Sequence, residues 1–126
     1  MRQQKFDNVS KLEPLDRYKY FIKKIADFEE LWTILDVNND YALSDVEEYT
    51  LISFWPEEEF VFSNLDKEWK DCRPVKIDLD ELYNTIFPII EANKYLLNIF
   101  PINGRTGFVV DLIEFKRDLE EELENY

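Results

Sequence analysis

"DVNNDYALSDVE", residues 36–47, decides how this chain is read. Two structures compete for it. A calcium loop places oxygen ligands at its first, third, fifth, ninth and twelfth positions and glycine at its sixth. Here Asp36, Asn38, Asp40, Ser44 and Glu47 stand at the ligand positions, but Tyr41 stands where glycine belongs. The loop must turn there with positive φ, which glycine adopts freely and a bulky aromatic resists. The flanks, "ELWTIL" and "EEYTLISFW", carry Trp, Thr, Ile, Tyr and Phe, which favour strands over the helices that frame a calcium loop. The stretch therefore reads as a hairpin turned by Asn38, Asn39 and Asp40.

Strands on both sides of this turn set the reading of the rest. Residues 1–13 lack a sustained apolar pattern and read as a flexible N-terminal arm, followed by one domain over 14–126. Pro14 opens a helix at a position where proline is tolerated. Tyr18, Phe21, Ile22, Ile25 and Phe28 recur at helical spacing and should face the core, with Arg17, Lys23 and Lys24 outside. Pro56 ends the strand run and opens a second helix, whose first turn holds Glu57, Glu58 and Glu59, where the helix dipole favours acids. Phe62, Leu65 and Trp69 should line that helix. "RPVKI" is a brief strand. Asp78 with Glu81, and Asp111 with Glu114, have capping-box spacing before two further helices. Pro88 should kink or end the first of these. Asn103-Gly104 is a hairpin signal between apolar runs. The sum is an α+β fold, a mostly antiparallel sheet of about five strands packed with about four helices.

Several of these landmarks recur together. Trp32 precedes a turn and "YALS". "FWPEEEF", residues 54–60, marks a strand-to-helix junction. "EWKDCRPVKIDLDEL" supplies Trp69 and Pro74, and "IFPINGRTGFVV" supplies the hairpin with Phe100 and Pro101. On these features the chain resembles the bacterial domain-of-unknown-function family 2750 over about residues 15–124. The resemblance implies a small single-domain protein of bacterial or phage origin, and strands on both sides of the 36–47 turn. It transfers no catalytic or binding residue.

Composition narrows the chemistry. There is no His in the 126 residues, so the commonest general base and metal ligand is missing and a Ser-His-Asp or Cys-His site cannot be built. Cys72 is the single cysteine, which excludes an internal disulfide and suits a reducing compartment. The start is polar and no run is long enough for a membrane span, so a cytoplasmic protein is expected. No cofactor or metal is expected, and no enzymatic activity.

The net charge is −13. Residues 1–27 hold seven Lys/Arg against four Asp/Glu, and the remainder holds eight against twenty-four. Such a field repels nucleic acid and anionic membranes and attracts basic proteins. Acidity also keeps an aromatic-rich domain soluble, which is the plainer explanation. Trp55 beside Glu57, Glu58 and Glu59, with Glu68 and Asp71 as neighbours, is the candidate partner-binding patch, because Trp with satellite acids is common at protein interfaces. The expected function is a small acidic protein-binding domain, placed first as an immunity-type inhibitor of a basic toxin or nuclease. The alternatives are an adaptor or regulatory module without catalytic activity, and a carboxylate-based ligand or metal-binding protein.

Overall fold

A computed structural model describes residues 2–65 and 69–126. Helix α1 (Gln3–Ser10) is followed by α2 (Pro14–Phe28), β1 (Glu30–Leu35), β2 (Leu43–Val46) and β3 (Tyr49–Phe54). Then come a short α3 (Glu58–Phe62) and β4 (Arg73–Asp78). A helical segment follows, built from α4 (Leu79–Glu81), a π turn (Leu82–Ile86) and α5 (Phe87–Asn93). Strands β5 (Leu96–Ile99) and β6 (Phe108–Val110) and helix α6 (Leu112–Leu123) complete the chain. This is the α+β class, with mostly antiparallel pairing.

The strands form a four-stranded sheet in the order β2-β3-β5-β6 and a β1-β4 pair. The β3-β5 pair is parallel, because the helical segment 79–93 returns the chain in the same direction. The two sheets meet at β3. Its first half pairs with β2, Ile52 opposite Leu43, whereas Trp55 just beyond it exchanges both backbone hydrogen bonds with Trp32 of β1 at 2.9 Å. The Thr33 hydroxyl donates to the Ser53 carbonyl at 2.7 Å and closes the same seam. Side chains alternate across a sheet, so Ile52, Phe54, Leu97, Ile99 and Val110 share one face. All are buried, in a core that also holds Phe21, Ile25, Phe115 and Leu119 from α2 and α6.

The deciding stretch is a turn between strands. The Asp36 carboxylate accepts from the amides of Asn38 at 2.8 Å and Asp40 at 3.1 Å, Asn39 takes φ 65°, and Tyr41 bridges back to Leu35. Asn tolerates that left-handed conformation better than most residues. Tyr41, at the position a calcium loop gives to glycine, has its hydroxyl on the Glu81 carboxylate at 2.9 Å. Burial, assisted by Glu81, pushes the Tyr41 phenol up to about 12. No cluster of three or more Asp, Glu or Cys suited to a metal occurs among the described residues.

Both predicted caps form. The amides of Glu81 and Glu114 each donate at 2.8 Å to the carboxylates of Asp78 and Asp111. Pro88 neither breaks nor ends its helix. The turn before it widens instead, with the Phe87 amide bonded to the Leu82 carbonyl five residues back. This π turn accommodates a proline that cannot donate to the preceding turn. The Asn103-Gly104 turn has φ 54° and 75°, the left-handed pair of a tight hairpin turn, and Ile102 and Arg105 exchange backbone bonds across it. Gly107 is required by crowding, since a Cβ there would lie 2.1 Å from the Ile99 carbonyl oxygen.

Four expectations are corrected by packing. Residues 1–13, read as an arm, contain α1, which docks through buried Val9 and through Phe6 stacked on Phe60 with ring centroids 5.0 Å apart. Phe28 keeps the helical period but is 57% exposed, because α2 ends there and Glu29, at φ 57°, turns the chain into β1. Arg17, expected outside, is buried, since the segment after β5 covers it. Helix α3 ends at Phe62, so the Phe62–Leu65–Trp69 stripe does not form on one helix, and Phe62 is exposed.

Candidate functional site

The candidate patch divides when its residues are placed. Trp55 is completely buried. Its indole N–H donates to the Pro101 carbonyl at 2.8 Å, and its ring meets Trp69 edge-on at 5.7 Å. It packs the core and cannot touch a partner, which corrects its assignment as the exposed anchor. Glu68 lies outside the described residues. Asp71 is exposed, in the turn before β4.

Glu57 has a structural task. It precedes α3 as the cap residue, but its side chain makes no cap. One oxygen instead receives the Lys24 ammonium at 3.1 Å, the Lys5 ammonium at 3.3 Å and the Tyr20 hydroxyl at 3.1 Å. A single carboxylate thus ties α1 and α2 to the start of α3. Its other oxygen is buried without a partner among the described residues. Burial first, and then the Glu57 charge, raise the Tyr20 phenol.

Glu58 is half-buried and Glu59 exposed, and both lie beside aromatics. The tryptophan there is Trp32. A cleft of about 280 Å³ is lined by Lys24, Phe28, Glu30, Trp32, Pro56 and the three acids Glu57, Glu58 and Glu59. Trp32 is half-buried and Phe28 mostly open. The Lys24 ammonium sits 4.6 Å from the Phe28 ring centroid while paired with Glu57, so the ring is held in place by a cation–π contact. Phe62, three residues beyond Glu59 on α3, is also exposed but does not line this cleft. Lys76 pairs with Glu30 at 3.6 Å across the β1-β4 seam. An exposed pair of this kind adds little to stability. What the arrangement offers is fixed aromatic surface rimmed by carboxylates.

Sequence reasoning missed Phe28 and Trp32 for different reasons. The helical period points Phe28 inward, but it cannot show where a helix stops. Trp32 shares its face of β1 with Ile34, which is fully buried, so strand alternation gives no sign that its ring is partly open.

A second cleft, of about 230 Å³, lies at one end of the other face of the four-stranded sheet, among Ser44, Asn64, Trp69, Asn98 and Arg105. Asn98 is clamped there, donating to the Ser53 hydroxyl at 3.2 Å and accepting from the Gly107 amide at 2.8 Å. The Trp69 indole N–H is buried with no partner among the described residues.

The fold and site define an α+β domain with an acidic, aromatic cleft. The chain belongs to DUF2750, a family of proteins of unknown function, whose model matches residues 18–119. Among solved structures it is similar to Tic22 from Plasmodium falciparum, at 10% sequence identity and a TM-score of 0.39, covering 83% of this chain and 76% of that one. At that identity and score the likeness says nothing about activity. No curated protein matches the chain. No helix of the described residues is long and apolar enough to cross a membrane.

Proposed function

We propose that this protein is a non-catalytic binding domain that covers a basic surface of a partner protein. One observation carries the reading. The exposed ring of Phe28 and the half-buried ring of Trp32 line the same cleft as Glu30, Glu58 and Glu59, in a chain of net charge −13. Aromatic anchors supply contact area with few rotatable bonds, while a ring of one charge sets the partner's sign and speeds encounter. A small acidic chain of this kind fits an immunity-type inhibitor of a basic toxin or nuclease, acting in the cytoplasm where its lone thiol stays reduced. An adaptor would use the same rings with less dependence on charge.

The test is affinity capture with the tagged chain from lysate of its source organism, at low and at high salt. Parallel baits carry Phe28→Ser, and Glu58→Lys with Glu59→Lys. The reading expects one basic protein at near-equal stoichiometry, lost at high salt and lost from both variant baits. Capture that is the same for all three baits and at both salt levels would refute it.

A further inference from the structure

We propose that the pocket between the start of α2 and the 102–106 turn binds a small phosphate-class oxyanion. This goes beyond the protein-binding reading and rests on different residues. The pocket, of about 480 Å³, is lined by Ser10, Lys11, Glu13, Arg17, Arg105 and Thr106 among others. Three cations therefore face one cavity in a chain with almost twice as many acids as bases.

Arg17 is the core of the argument. It is only 6% exposed, its Nε donates to the Phe100 carbonyl at 3.1 Å, and its Nη1 donates to the Leu12 carbonyl at 2.5 Å. Its guanidinium carbon lies 6.0 Å from the Phe100 ring centroid. Two carbonyls orient the fork but do not neutralise it. None of the described acids forms an ion pair with Arg17, Lys11 or Arg105, although a buried charge is normally paired. Burial lowers the Arg17 pKa, the Glu13 charge opposes this, and the charge of Arg105 adds a smaller lowering. Like charges held together at a pocket wall are relieved by an anion between them.

Two further groups point to the same occupant. The Ser10 hydroxyl oxygen is buried without a hydrogen-bond partner among the described residues. Helix α2, fifteen residues long, starts at this pocket with no side-chain cap, and since Pro14 at its first position has no N–H, what it offers an anion is the positive end of its dipole. Strain marks the spot as well. Phe100 holds φ 64°, a conformation costly for a bulky residue, and this turns its carbonyl onto Arg17. Planar guanidinium forks match the edges of a phosphate, whereas a lysine adds a point charge.

The experiment uses the full chain and amide NMR titrations with inorganic phosphate, pyrophosphate and adenosine triphosphate. Acetate and chloride at matched ionic strength are the controls. Free phosphate and a phosphoryl group carried on a nucleotide are the two sources of this chemistry, and the arms separate them. The expected result is saturable shifts confined to residues 10–17 and 100–107, with dissociation constants on the order of a millimolar or tighter. Arg105→Gln should weaken binding at least about tenfold, and Lys11→Gln should weaken it less. Both residues are exposed, so neither variant should alter the melting temperature. Shifts produced equally by chloride or acetate, shifts scattered over all Lys and Arg, or undiminished binding by Arg105→Gln would overturn the proposal.

Discussion

Replacing Trp55 with Phe separates a core tryptophan from a contact tryptophan. The indole is fully buried and gives its only N–H to the buried Pro101 carbonyl. Phenylalanine keeps most of the ring volume but leaves that carbonyl unpaired, which costs about 1–3 kcal/mol. The lost edge contact with Trp69 adds about 0.5–1.5 kcal/mol. The void left by the smaller ring adds roughly another 1 kcal/mol. The expected destabilisation is about 3 kcal/mol, which at this chain length lowers the melting temperature by about 10 °C. Urea denaturation followed by circular dichroism measures the first quantity, and a thermal scan the second. Partner capture, measured well below the melt, should be unchanged. A stability within about 0.5 kcal/mol of the parent, which is typical of surface substitutions, would show that the packing argument is wrong. Lost capture at full stability would return Trp55 to the interface.

Two other perturbations test different parts of the fold. Phe6→Ala removes the ring stacked on Phe60 and should cost about 1–2 kcal/mol. Amide exchange should accelerate over residues 3–10 and stay slow in β3 and β5, while unchanged exchange throughout would mean that α1 is not held by this contact. Alkali should unfold the protein through its tyrosines. Burial is the leading cause of the raised phenols of Tyr18, Tyr20, Tyr41 and Tyr83, and each also faces a carboxylate. Their stabilising effect is complete below the ordinary phenol value of about 10 and is lost as pH rises from there through the raised values of the folded state, because over that range the unfolded chain has released protons that the folded one retains. A spectrophotometric titration should show these four phenolates appearing together with loss of structure, and their appearance in an intact fold would contradict the burial.

The parts of the fold that could be read from sequence are those fixed by local chemistry. Asp78 and Asp111 satisfy amides three residues away, and Asn103-Gly104 supplies two positive φ angles in succession. Each needs only its neighbours. The 36–47 turn was legible for the same reason, since Tyr41 argued against a calcium loop without any knowledge of what it touches. The π turn was not legible. Proline's missing N–H predicts a disturbed helix, but whether the helix kinks, ends or widens depends on the packing of Leu82, Ile86 and Phe87, all buried. Helix α1 was hidden because its docking rests on Phe6 and Val9 meeting residues from elsewhere in the chain.

The candidate site shows the same division within a few residues. The acidity of the run Glu57–Glu59 and the density of rings around it are properties of the sequence. Which tryptophan stays open is not. Trp32 and Trp55 are opposite one another, backbone bonded to backbone at 2.9 Å in both directions. One is covered by Trp69 and the 100–101 segment, and the other is left beside Phe28. The cover comes from residues more than ten positions away from either. Arg17 was misplaced by the same cover, because the strand exit at Phe100 reaches it only through tertiary folding. Chain segments 100–107 therefore control two outcomes at once: they bury the tryptophan that looked exposed, and they bring a second cation, Arg105, to the arginine that looked solvated. Where a fold covers one local expectation of exposure with a strained loop, the groups that the loop brings together are the place to look for a ligand, and here those groups are cationic in an otherwise acidic chain.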